Sequence, residues 1–438
     1  MTEGDADVRD VPVVTCFLRN GTDVLLLRRS EAVGSYVGAW GGVAGHAVDR
    51  EGAPRDPDAV AREEIREETG LESAVTPVRR GDPFPVQDSE RGTRWLVHPY
   101  LFECESRAVQ TDEETVEVAW MPPTEILRRE TVPDLWASYR AVAPTVETVR
   151  ADADHGSAYL SVRALEVLRD AAAEASEPGP EADLASLARA VRAARPGMAA
   201  VTNRVNRVMT DAGGAGAGPA AVERAATATI AAALAADDRA GENAAARLDG
   251  PAVTLSRSGT VRTALVEAAV PVLVAESRPG GEGVAVAESL RGAGLDVTLT
   301  SDAAAPGAVL EWPGAPAGSG ETAAAVVVGA DAVLPDGTVH NKVGTLPVAL
   351  AADRADVPVY AVCAGDKVWP AGGAAVDHGE GASIYEGDAV DVHNPLFEAT
   401  PADLIAGVIT EEGVLDADAV AALAADHAAR ADWDDPGA

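Results

Sequence analysis

Three glutamates with helical spacing are the residues in this sequence that most directly indicate chemistry. Glu64, Glu67 and Glu68 lie in the stretch REEIREETGL, residues 62–71. Residues three and four positions apart on a helix lie side by side, so these carboxylates would share one face. Clustered oxygen ligands suit Mg²⁺ or Mn²⁺, and such ions in turn suit the phosphates of a substrate. The spacing therefore predicts a carboxylate site for a divalent cation.

The residues around this helix frame the carboxylates in a fixed order. Gly45 and Glu51 precede the helix, in the stretch WGGVAGHAVDRE at 40–51, and Gly70 and Leu71 follow it. Gly70 is placed to end the helix in the left-handed conformation, with Leu71 returning to the core. A solvated acidic helix in an acidic protein is the simpler alternative, but the ordered residues on both sides favour a functional site.

The framed helix resembles the Nudix box, the signature of the Nudix hydrolases. That box reads Gly, five residues, Glu, seven residues, then Arg-Glu-aliphatic-any-Glu-Glu-any-Gly-aliphatic. The sequence departs from it twice, because the loop after Glu51 is longer and because Glu63 occupies the Arg position, with Arg62 one residue earlier. The resemblance implies hydrolysis of a pyrophosphate bond in a nucleoside diphosphate or phosphoribosyl derivative.

The same resemblance implies roles for individual residues. The expected ligands of Mg²⁺ or Mn²⁺ are Gly45, Glu64, Glu67 and Glu68. The three glutamates are also the expected catalytic residues, because a bound cation polarises phosphoryl oxygens and lowers the pKa of an attacking water. A loop carboxylate commonly serves as the base in this family, and Glu113 or Glu114 is the candidate here. The loop at 79–93, where specificity would lie, carries no signature that identifies the substrate.

A second set of motifs runs in order through the rest of the chain. The motifs are RPGMAAVTNRVN (195–206), TLSRSGTV (254–261), ESRPGGEG (276–283), GADAVLPDGTVHNKVGT (329–345) and NPLFEATPADLIAGVITEEGV (394–414). Together they resemble the initiation-factor-2B alpha/beta/delta family. That family also contains two sugar-phosphate isomerases, which act on methylthioribose 1-phosphate and on ribose 1,5-bisphosphate.

This second resemblance implies a ligand site and raises the question of whether it is catalytic. The isomerases use a Cys and an Asp for proton transfer, and Asp331 matches the Asp. Arg278 matches a phosphate-binding residue, while Asn341 and Lys342 match substrate-binding residues. Ser256 stands at the Cys position. A serine hydroxyl is far less acidic than a thiol, whose pKa is about 8.5, and would need a neighbouring base to replace it.

Three hypotheses therefore stay open. The first is a Nudix-type hydrolase fused to a domain that binds a sugar phosphate or nucleotide. The second is a bifunctional enzyme whose C-terminal half isomerises ribose 1,5-bisphosphate. The third is a regulatory or translation-related binding protein. Ser256, and Glu282 where the isomerases have Gln, favour the third over the second, whereas Asp331 and Lys342 favour the second. Lys342 is informative because Lys367 is the only other lysine in the chain.

The composition limits the environment and the partners. The chain of 438 residues has 70 acidic and 35 basic side chains and a net charge of −35, and 33 of the basic residues are arginines, since 35 − 2 = 33. Such a surface repels itself unless salt screens it, and at 1 M salt the Debye length is about 3 Å. Acid-rich, lysine-poor chains resemble those of salt-in halophilic archaea. The charge argues against non-specific binding to nucleic acids and to anionic membranes, so the expected partner is a small phosphorylated molecule.

Cysteines and hydropathy give no sign of export or membrane insertion. Cys16, Cys104 and Cys363 are spaced for neither a disulfide framework nor a zinc site, and each lies in an apolar run typical of a core residue. No run of about 18 apolar residues occurs, and the start MTEGDADVRD lacks the basic and apolar regions of a signal peptide. We expect a cytoplasmic protein.

The sequence pattern predicts the elements that must position the first site. Residues 1–145 read as an α+β Nudix domain in which a mixture of strands surrounds the acidic helix. MPPTEIL is expected to open another helix, with Thr124 as its N-cap. The expected strands are 11–18 and 24–28, joined by a hairpin at Asn20-Gly21, then 94–105 and 116–120.

The remaining chain is expected to form two subdomains. Residues 151–250 are rich in alanine at helical spacing and predict a helical subdomain. Residues 251–430 alternate short apolar runs with helical stretches, which predicts an α/β Rossmann-like doubly wound parallel sheet. Polar residues follow three of its strands, at 276–278, 301–302 and Asp331, and ligands bind at such strand ends. A homo-oligomer formed through this C-terminal domain is also expected.

Overall fold

The computed structural model describes residues 10–49, 51–89, 91–179, 182–313, 322–370, 381–387 and 389–434. The first nine residues, which bear on the signal-peptide prediction, lie outside these ranges. The chain divides into two compact units, Met1–Thr145 with Arg169–Ala182 and Val146–Leu168 with Asp183–Ala438. In the part of the chain that is described, no helix is long and apolar enough to cross a membrane.

The first unit is built on one mixed sheet of eight strands. Its central strands β1 and β7 run parallel, and the other pairings are antiparallel. The order is β3-β2-β1-β7-β5, while β4 pairs with β1, β6 with β7 and β8 with β2. The strands are β1 (Asp10–Asn20), β2 (Asp23–Arg29), β3 (Trp40–Gly41), β4 (Val43–His46), β5 (Val75–Arg80), β6 (Phe84–Asp88), β7 (Thr93–Cys104) and β8 (Thr115–Met121).

Helices cover both faces of this sheet. Val14, Cys16 and Leu18 of β1 pack with Val60, Ala61 and Ile65 of helix α1 (Pro57–Thr69). Phe17, pointing the other way, packs with Leu135 and Tyr139 of helix α2 (Leu135–Arg140). This alternation is the period of two that a strand imposes on its side chains. The predicted α+β fold and the hairpin at Asn20-Gly21 are confirmed.

The acidic helix ends at Gly70 as predicted, but it begins at Pro57, earlier than the stretch at 62–71. Asp56 caps its N-terminus by accepting from the backbone N–H of Asp58, and Pro57 occupies the first turn. Gly70 ends it at φ 68°, and the buried Leu71 returns to the core.

The prediction that Thr124 caps a helix is wrong. Residues Pro123–Arg128 form a 3-10 helix that starts after Pro122 without a side-chain cap, because Pro123 fixes the first turn.

The second unit starts with helices and continues with strands that alternate with helices. The helical part predicted for 151–250 is present, and α4 is divided at Leu168 between the two units. Asp183 caps α5 through the N–H of Ser186, and Gly213 ends α6 at φ 108°. The helices are α3 (Val146–Ala151), α4 (Ser157–Glu174), α5 (Leu184–Ala194), α6 (Ala199–Ala212) and α7 (Pro219–Ala245).

A seven-stranded sheet forms the rest of this unit, in the order β11-β10-β9-β12-β15-β17-β18. All neighbours are parallel except the edge pair β17–β18. Its strands are β9 (Ala252–Thr254), β10 (Val272–Ala275), β11 (Val297–Thr300), β12 (Ala325–Val328), β15 (Val359–Val362), β17 (Gly407–Thr410) and β18 (Gly413–Leu415). The helices are α8 (Gly259–Ala268), α9 (Glu282–Gly292), α10 (Ala305–Leu310), α11 (Thr345–Arg354) and α12 (Ala417–Ala429).

Helices pack on both faces of this sheet, which confirms the doubly wound prediction. Val272 and Val274 of β10 face Ala264 of α8, whereas Leu273 faces Ala305 of α10. From β9 the chain runs outward through β10 to β11 and then returns to β12, on the other side of β9. Such a reversal opens a crevice at the carboxyl ends of the two inner strands, where ligands of this architecture bind.

A small antiparallel sheet lies beyond the end of β12 in the chain. It was not predicted, since its strands are only two to four residues long. Its middle strand carries Asn341 and Lys342. The strands are β13 (Ala332–Val333), β14 (Val339–Lys342) and β16 (Phe397–Thr400).

Candidate functional site

Two of the three predicted carboxylates lie together against strand β4, which precedes the acidic helix in the chain. Glu64 is half-buried, and its carboxylate occupies the space in which a side chain on Gly45 would lie. Glu68 is also half-buried and accepts a hydrogen bond from the backbone of Ala44. Glu67 is exposed and pairs with Arg66 at 2.7 Å. Gly45 is therefore needed for close approach, since any Cβ there would displace Glu64.

The two half-buried carboxylates hold their protons unusually tightly. Burial, together with the charges of Glu67 and Glu63, raises the pKa of Glu64 to about 7. Burial and the charge of Glu64 raise the pKa of Glu68 to about 8, although the hydrogen bond from Ala44 opposes the shift. Both causes penalise the ionised form, and a nearby cation would remove that penalty.

The chemistry of these residues fits a hard divalent cation, although their side chains do not form a complete coordination shell. Among the described residues, no three His, Cys, Asp or Glu side chains stand close enough to hold a metal ion. Glu64 and Glu68 would hold it, with the backbone of Gly45, and Glu67 would join by a rotation of its exposed side chain. When bound, Mg²⁺ or Mn²⁺ would supply polarisation of phosphoryl oxygens and a more acidic water.

The longer loop supplies an arginine where the Nudix box is altered. Arg55, four positions after Glu51, pairs with Glu63, the residue at the box's Arg position. The guanidinium also lowers the pKa of Glu64 by its charge, against the larger effect of burial. Of the candidate bases, Glu114 lies close enough for its charge to raise the pKa of Glu64. The backbone carbonyl of Glu113 accepts a hydrogen bond from the Ser30 hydroxyl.

A cavity of about 110 Å³ opens beside the carboxylates. Ala44 and Gly45 line it, and so does Arg29, whose charge lowers the pKa of Glu68. A cavity needs about 10–15 Å³ to hold one water molecule, so this cavity can hold a group of several heavy atoms. The other lining residues are mostly apolar or aromatic, and they include Val13, Tyr36, His46, Val86, Trp95 and Val97.

The aromatic wall of this cavity is held in place by its own contacts. The indole N–H of Trp95 donates to the Tyr36 hydroxyl at 3.0 Å, and that hydroxyl donates to Asp88. The rings of Trp95 and His46 meet edge to face at 5.7 Å. Aromatic walls of this kind bind flat rings by stacking. Sequence reasoning missed this wall, since its members come from separate strands and loops.

Metal binding should depend strongly on pH, because the ion competes with the protons on Glu64 and Glu68. Below about pH 7 both carboxyls are largely protonated, so the apparent affinity for Mg²⁺ should rise as the pH increases from 6 to 9. Titration calorimetry in buffers of different ionisation enthalpy should show release of about two protons per ion at pH 6 and almost none at pH 9. A constant affinity without proton release would contradict the shifted pKa values.

The second candidate site lies at the strand ends flanking the reversal in the second unit. Ser256 follows β9 at φ 63° and Ser277 follows β10 at φ 65°. The backbone N–H of Ser256 donates to the Ser277 hydroxyl at 2.6 Å. Asp302, after β11, accepts from the N–H groups of Ser277 and Arg278 at 2.8 and 2.6 Å. The predicted polar residues at these strand ends therefore form one connected loop cluster.

Glu282 connects Ser256 to Lys342. The Lys342 ammonium pairs with the Glu282 carboxylate at 2.8 Å, and the Ser256 hydroxyl donates to the same oxygen at 3.3 Å. Lys342 is only 6% exposed, so it is not a surface lysine that occurs at this position by chance. The neighbouring Arg278 is two-thirds exposed and pairs with Glu276 at 3.1 Å.

The remaining predicted residues belong to the end of β12 and the small sheet. Asn341 donates to the Thr345 hydroxyl at 3.0 Å, and a side chain on Gly329 would come within 3.9 Å of its oxygen and 3.1 Å of Ser258 Oγ. Asp331 is half-buried, and its backbone N–H donates to the carbonyl of His340, next to Asn341.

The other lysine, which sequence reasoning left unassigned, supports the same region. Lys367 is 8% exposed, and its ammonium donates to the carbonyl of Ala330, one residue before Asp331, at 2.6 Å. Its neighbour Asp366 is buried between Arg204 and Arg207, which hold the pKa of that carboxyl down against the effect of burial. The rarity of lysine in the sequence was the signal that could have identified Lys367. Both lysines of the chain, Lys342 and Lys367, are buried in this unit.

Fold and site together define a protein with two parts, a NUDIX domain and a domain of the type shared by translation initiation factors and sugar-phosphate isomerases. The model of the NUDIX domain matches residues 9–142, and that of the initiation factor 2 subunit family matches residues 153–417. The chain belongs to the initiation factor 2 subunit family. Both resemblances inferred from motifs are therefore confirmed.

The curated relatives are isomerases that match part of the chain. Ribose 1,5-bisphosphate isomerase of Archaeoglobus fulgidus is 35% identical over 158 residues, which is 33% of this chain and 46% of that protein. Methylthioribose-1-phosphate isomerase of Albidiferax ferrireducens is 39% identical over 102 residues, 21% of this chain and 29% of that protein. The chain thus spans less than half the length of these relatives.

Two solved structures share the fold. The translation initiation factor eIF-2B of Pyrococcus horikoshii OT3 aligns with a TM-score of 0.51 and 22% identity, over 62% of this chain and 94% of its own. The 5-methylthioribose 1-phosphate isomerase of the same organism aligns with a TM-score of 0.50 and 18% identity, over 71% and 89%. At these identities the likeness describes the fold alone, and it includes both a translation factor and an enzyme.

Proposed function

We propose that the NUDIX domain is an Mg²⁺- or Mn²⁺-dependent hydrolase of a nucleoside-diphosphate or phosphoribosyl pyrophosphate bond. The observation that carries the proposal is the position of Glu64 and Glu68, which lie half-buried against Gly45 and Ala44 beside a cavity of about 110 Å³. Arg29 lines the cavity and is near enough to Glu68 for its charge to lower the pKa of that carboxyl, so it would be able to bind a phosphate oxygen there. A cation held by these carboxylates would supply the acidic water that hydrolysis needs.

Within this proposal, the aromatic wall favours a substrate that carries an aromatic base. Ring stacking on Trp95 and Tyr36 would hold the base of a nucleoside diphosphate, while the diphosphate reaches Arg29 and the carboxylates. Phosphoribosyl pyrophosphate has no aromatic base and would leave the wall without a stacking partner. The lining also includes Val86 of strand β6, which falls within the segment 79–93 where specificity was expected to lie.

The test of this point is the substitution Trp95→Ala. Loss of one stacking contact costs about 1–3 kcal/mol, so KM for ADP-ribose should rise about 5- to 150-fold while kcat changes little. Trp95→Phe keeps a ring and should recover most of the loss. Phosphoribosyl pyrophosphate, assayed in parallel, serves as the control that lacks an aromatic base. An equal rise in KM for both compounds would argue against a ring pocket.

For the second unit, we propose a site that binds a phosphorylated ribose or nucleotide through Arg278, Asn341 and Lys342. The support is the burial of Lys342 in the crevice region and the connected cluster around Ser256. The fusion itself motivates the idea that the two units handle related metabolites. A role in assembling a homo-oligomer stays a prediction.

Isomerisation by the second unit is the alternative function. It is favoured by the identity to ribose 1,5-bisphosphate isomerase and by Asp331. Ser256 replaces the thiol, but Glu282 lies 3.3 Å from its hydroxyl and could act as the base that a serine needs. Incubation with ribose 1,5-bisphosphate would decide this point, because formation of ribulose 1,5-bisphosphate requires a catalytic site. Binding without turnover would identify a receptor.

A further inference from the structure

The cations of the second site are already paired with carboxylates. Lys342 pairs with Glu282 at 2.8 Å, and Arg278 pairs with Glu276 at 3.1 Å. The carboxylate of Asp302 accepts from the backbone N–H of Arg278 at 2.6 Å. Three acids and two bases therefore meet in this cluster. A ligand with two phosphates would bring several more negative charges into a region with no excess of positive charge, which is unfavourable.

Gly280 and Gly281 leave open the space between Lys342 and Arg278, because neither glycine has a side chain to fill it. A Cβ on Gly280 would lie 3.5 Å from Lys342 Nζ and would overlap the Glu282 carboxylate. A Cβ on Gly281 would lie 3.8 Å from Arg278 Nη1. The exposed Arg278, the Gly280-Gly281 turn and the pair of buried Lys342 with half-buried Glu282 are therefore contiguous. A small ligand on this turn would reach Arg278 at one end and Glu282 at the other.

The chemistry of Glu282 indicates what that second end receives. An ionised carboxylate only accepts hydrogen bonds, so it suits hydroxyl groups and disfavours phosphate oxygens. Acidic side chains at strand ends of doubly wound sheets hold ribose hydroxyls in this way. Glu282 lies near such a strand end, since it begins α9 seven residues after β10 ends at Ala275. Lys342 fixes the carboxylate and would not be available as a free phosphate ligand.

We propose that Glu282 determines the specificity of this second site, which takes a ribose carrying a single phosphate and free hydroxyls in preference to a bisphosphate. Arg278 binds the phosphate, and Glu282 accepts from the hydroxyls. The inference deepens the proposed binding function of the second unit and rests on it. The ribose monophosphate can be free or part of a nucleoside monophosphate. Hydrolysis of a nucleoside-diphosphate-linked ribose at its diphosphate bond yields both forms.

The test is titration calorimetry of the full chain in molar KCl, with ribose 5-phosphate, AMP and ribose 1,5-bisphosphate as probes. At least one monophosphate should bind about tenfold or more tightly than the bisphosphate. Glu282→Gln, which removes the charge with little change of shape, should weaken monophosphate binding and strengthen bisphosphate binding, each by about tenfold. Glu288→Gln, an exposed glutamate of the same helix, is the matched control and should leave all three affinities unchanged.

The outcomes separate this inference from the proposed function beneath it. If none of the three probes binds, the binding role of the second unit is wrong and the inference falls with it. If the unmodified chain binds ribose 1,5-bisphosphate as tightly as the monophosphates, binding stands and the inference is overturned without any variant. Equal effects of Glu282→Gln and Glu288→Gln would overturn it as well. Comparison of ribose 5-phosphate with AMP shows which source of the ribose monophosphate the site prefers.

Discussion

Replacement of Glu68 by Gln should lower kcat for metal-dependent hydrolysis by about a hundredfold or more. Removal of one group that stabilises transition-state charge typically costs this much, and Glu68 would be a ligand of the cation that does so. The fold should persist, since the neutral amide removes the carboxylate that burial and Glu64 make costly to ionise. Steady-state kinetics with saturating Mg²⁺, together with a melting curve, measure both effects.

Glu67 and Glu72 provide the comparison for this variant. Glu67→Gln should also reduce kcat strongly if its exposed side chain turns towards the cation. Glu72→Gln changes the charge equally just beyond the helix, at an exposed position, and should leave kcat within about a factor of two. Retention of full activity by Glu68→Gln, or full activity of the unmodified chain in excess EDTA, would refute the metal-dependent mechanism.

The second large effect should be that of salt on stability. Between 0.1 M and 3 M KCl the melting temperature should rise by roughly 10 °C or more, the shift that a few kcal/mol produces in domains of 150–250 residues. The cause is the net charge of −35, whose self-repulsion is screened as the Debye length falls. Differential scanning calorimetry over a series of KCl concentrations provides the measurement.

A neutral solute separates charge screening from general exclusion. Sucrose stabilises folded proteins by exclusion from their surfaces, without screening charges. At matched osmotic strength it should therefore raise the melting temperature much less than KCl does. A melting temperature that is the same at 0.1 M and 3 M KCl would contradict the role assigned to the acidic surface.

The parts of the fold that local sequence determines were predictable. The helix at Pro57–Thr69 follows from its periodicity and from Gly70, and the alternation of strands and helices after residue 251 follows from short apolar runs. Thr124 was misassigned because Pro123 starts the turn by fixing its own φ, so no side-chain cap was needed. The two-residue strands β3 and β13 are too short to give a period.

The candidate sites were predictable in their residues but not in their contacts. Motif spacing selected Glu64 and Glu68, yet their raised pKa values depend on burial against Gly45, which only the folded chain provides. Likewise, the sequence identified Lys342 and Glu282 separately, and the structure pairs them. Pairing across 60 positions depends on the order of strands in the sheet, and that order is not encoded in any local pattern.

The most direct test of the account is phosphorus NMR of the full chain in molar KCl, with ADP-ribose, phosphoribosyl pyrophosphate and dinucleoside polyphosphates as substrates. The account predicts that diphosphate signals of at least one compound convert to monophosphate signals only when Mg²⁺ or Mn²⁺ is present. ADP-ribose should be cleaved faster than phosphoribosyl pyrophosphate, because only the former carries a base that would stack on Trp95 and Tyr36 in the cavity. Unchanged spectra for every compound at saturating metal would contradict the central claim that the NUDIX domain hydrolyses a diphosphate bond.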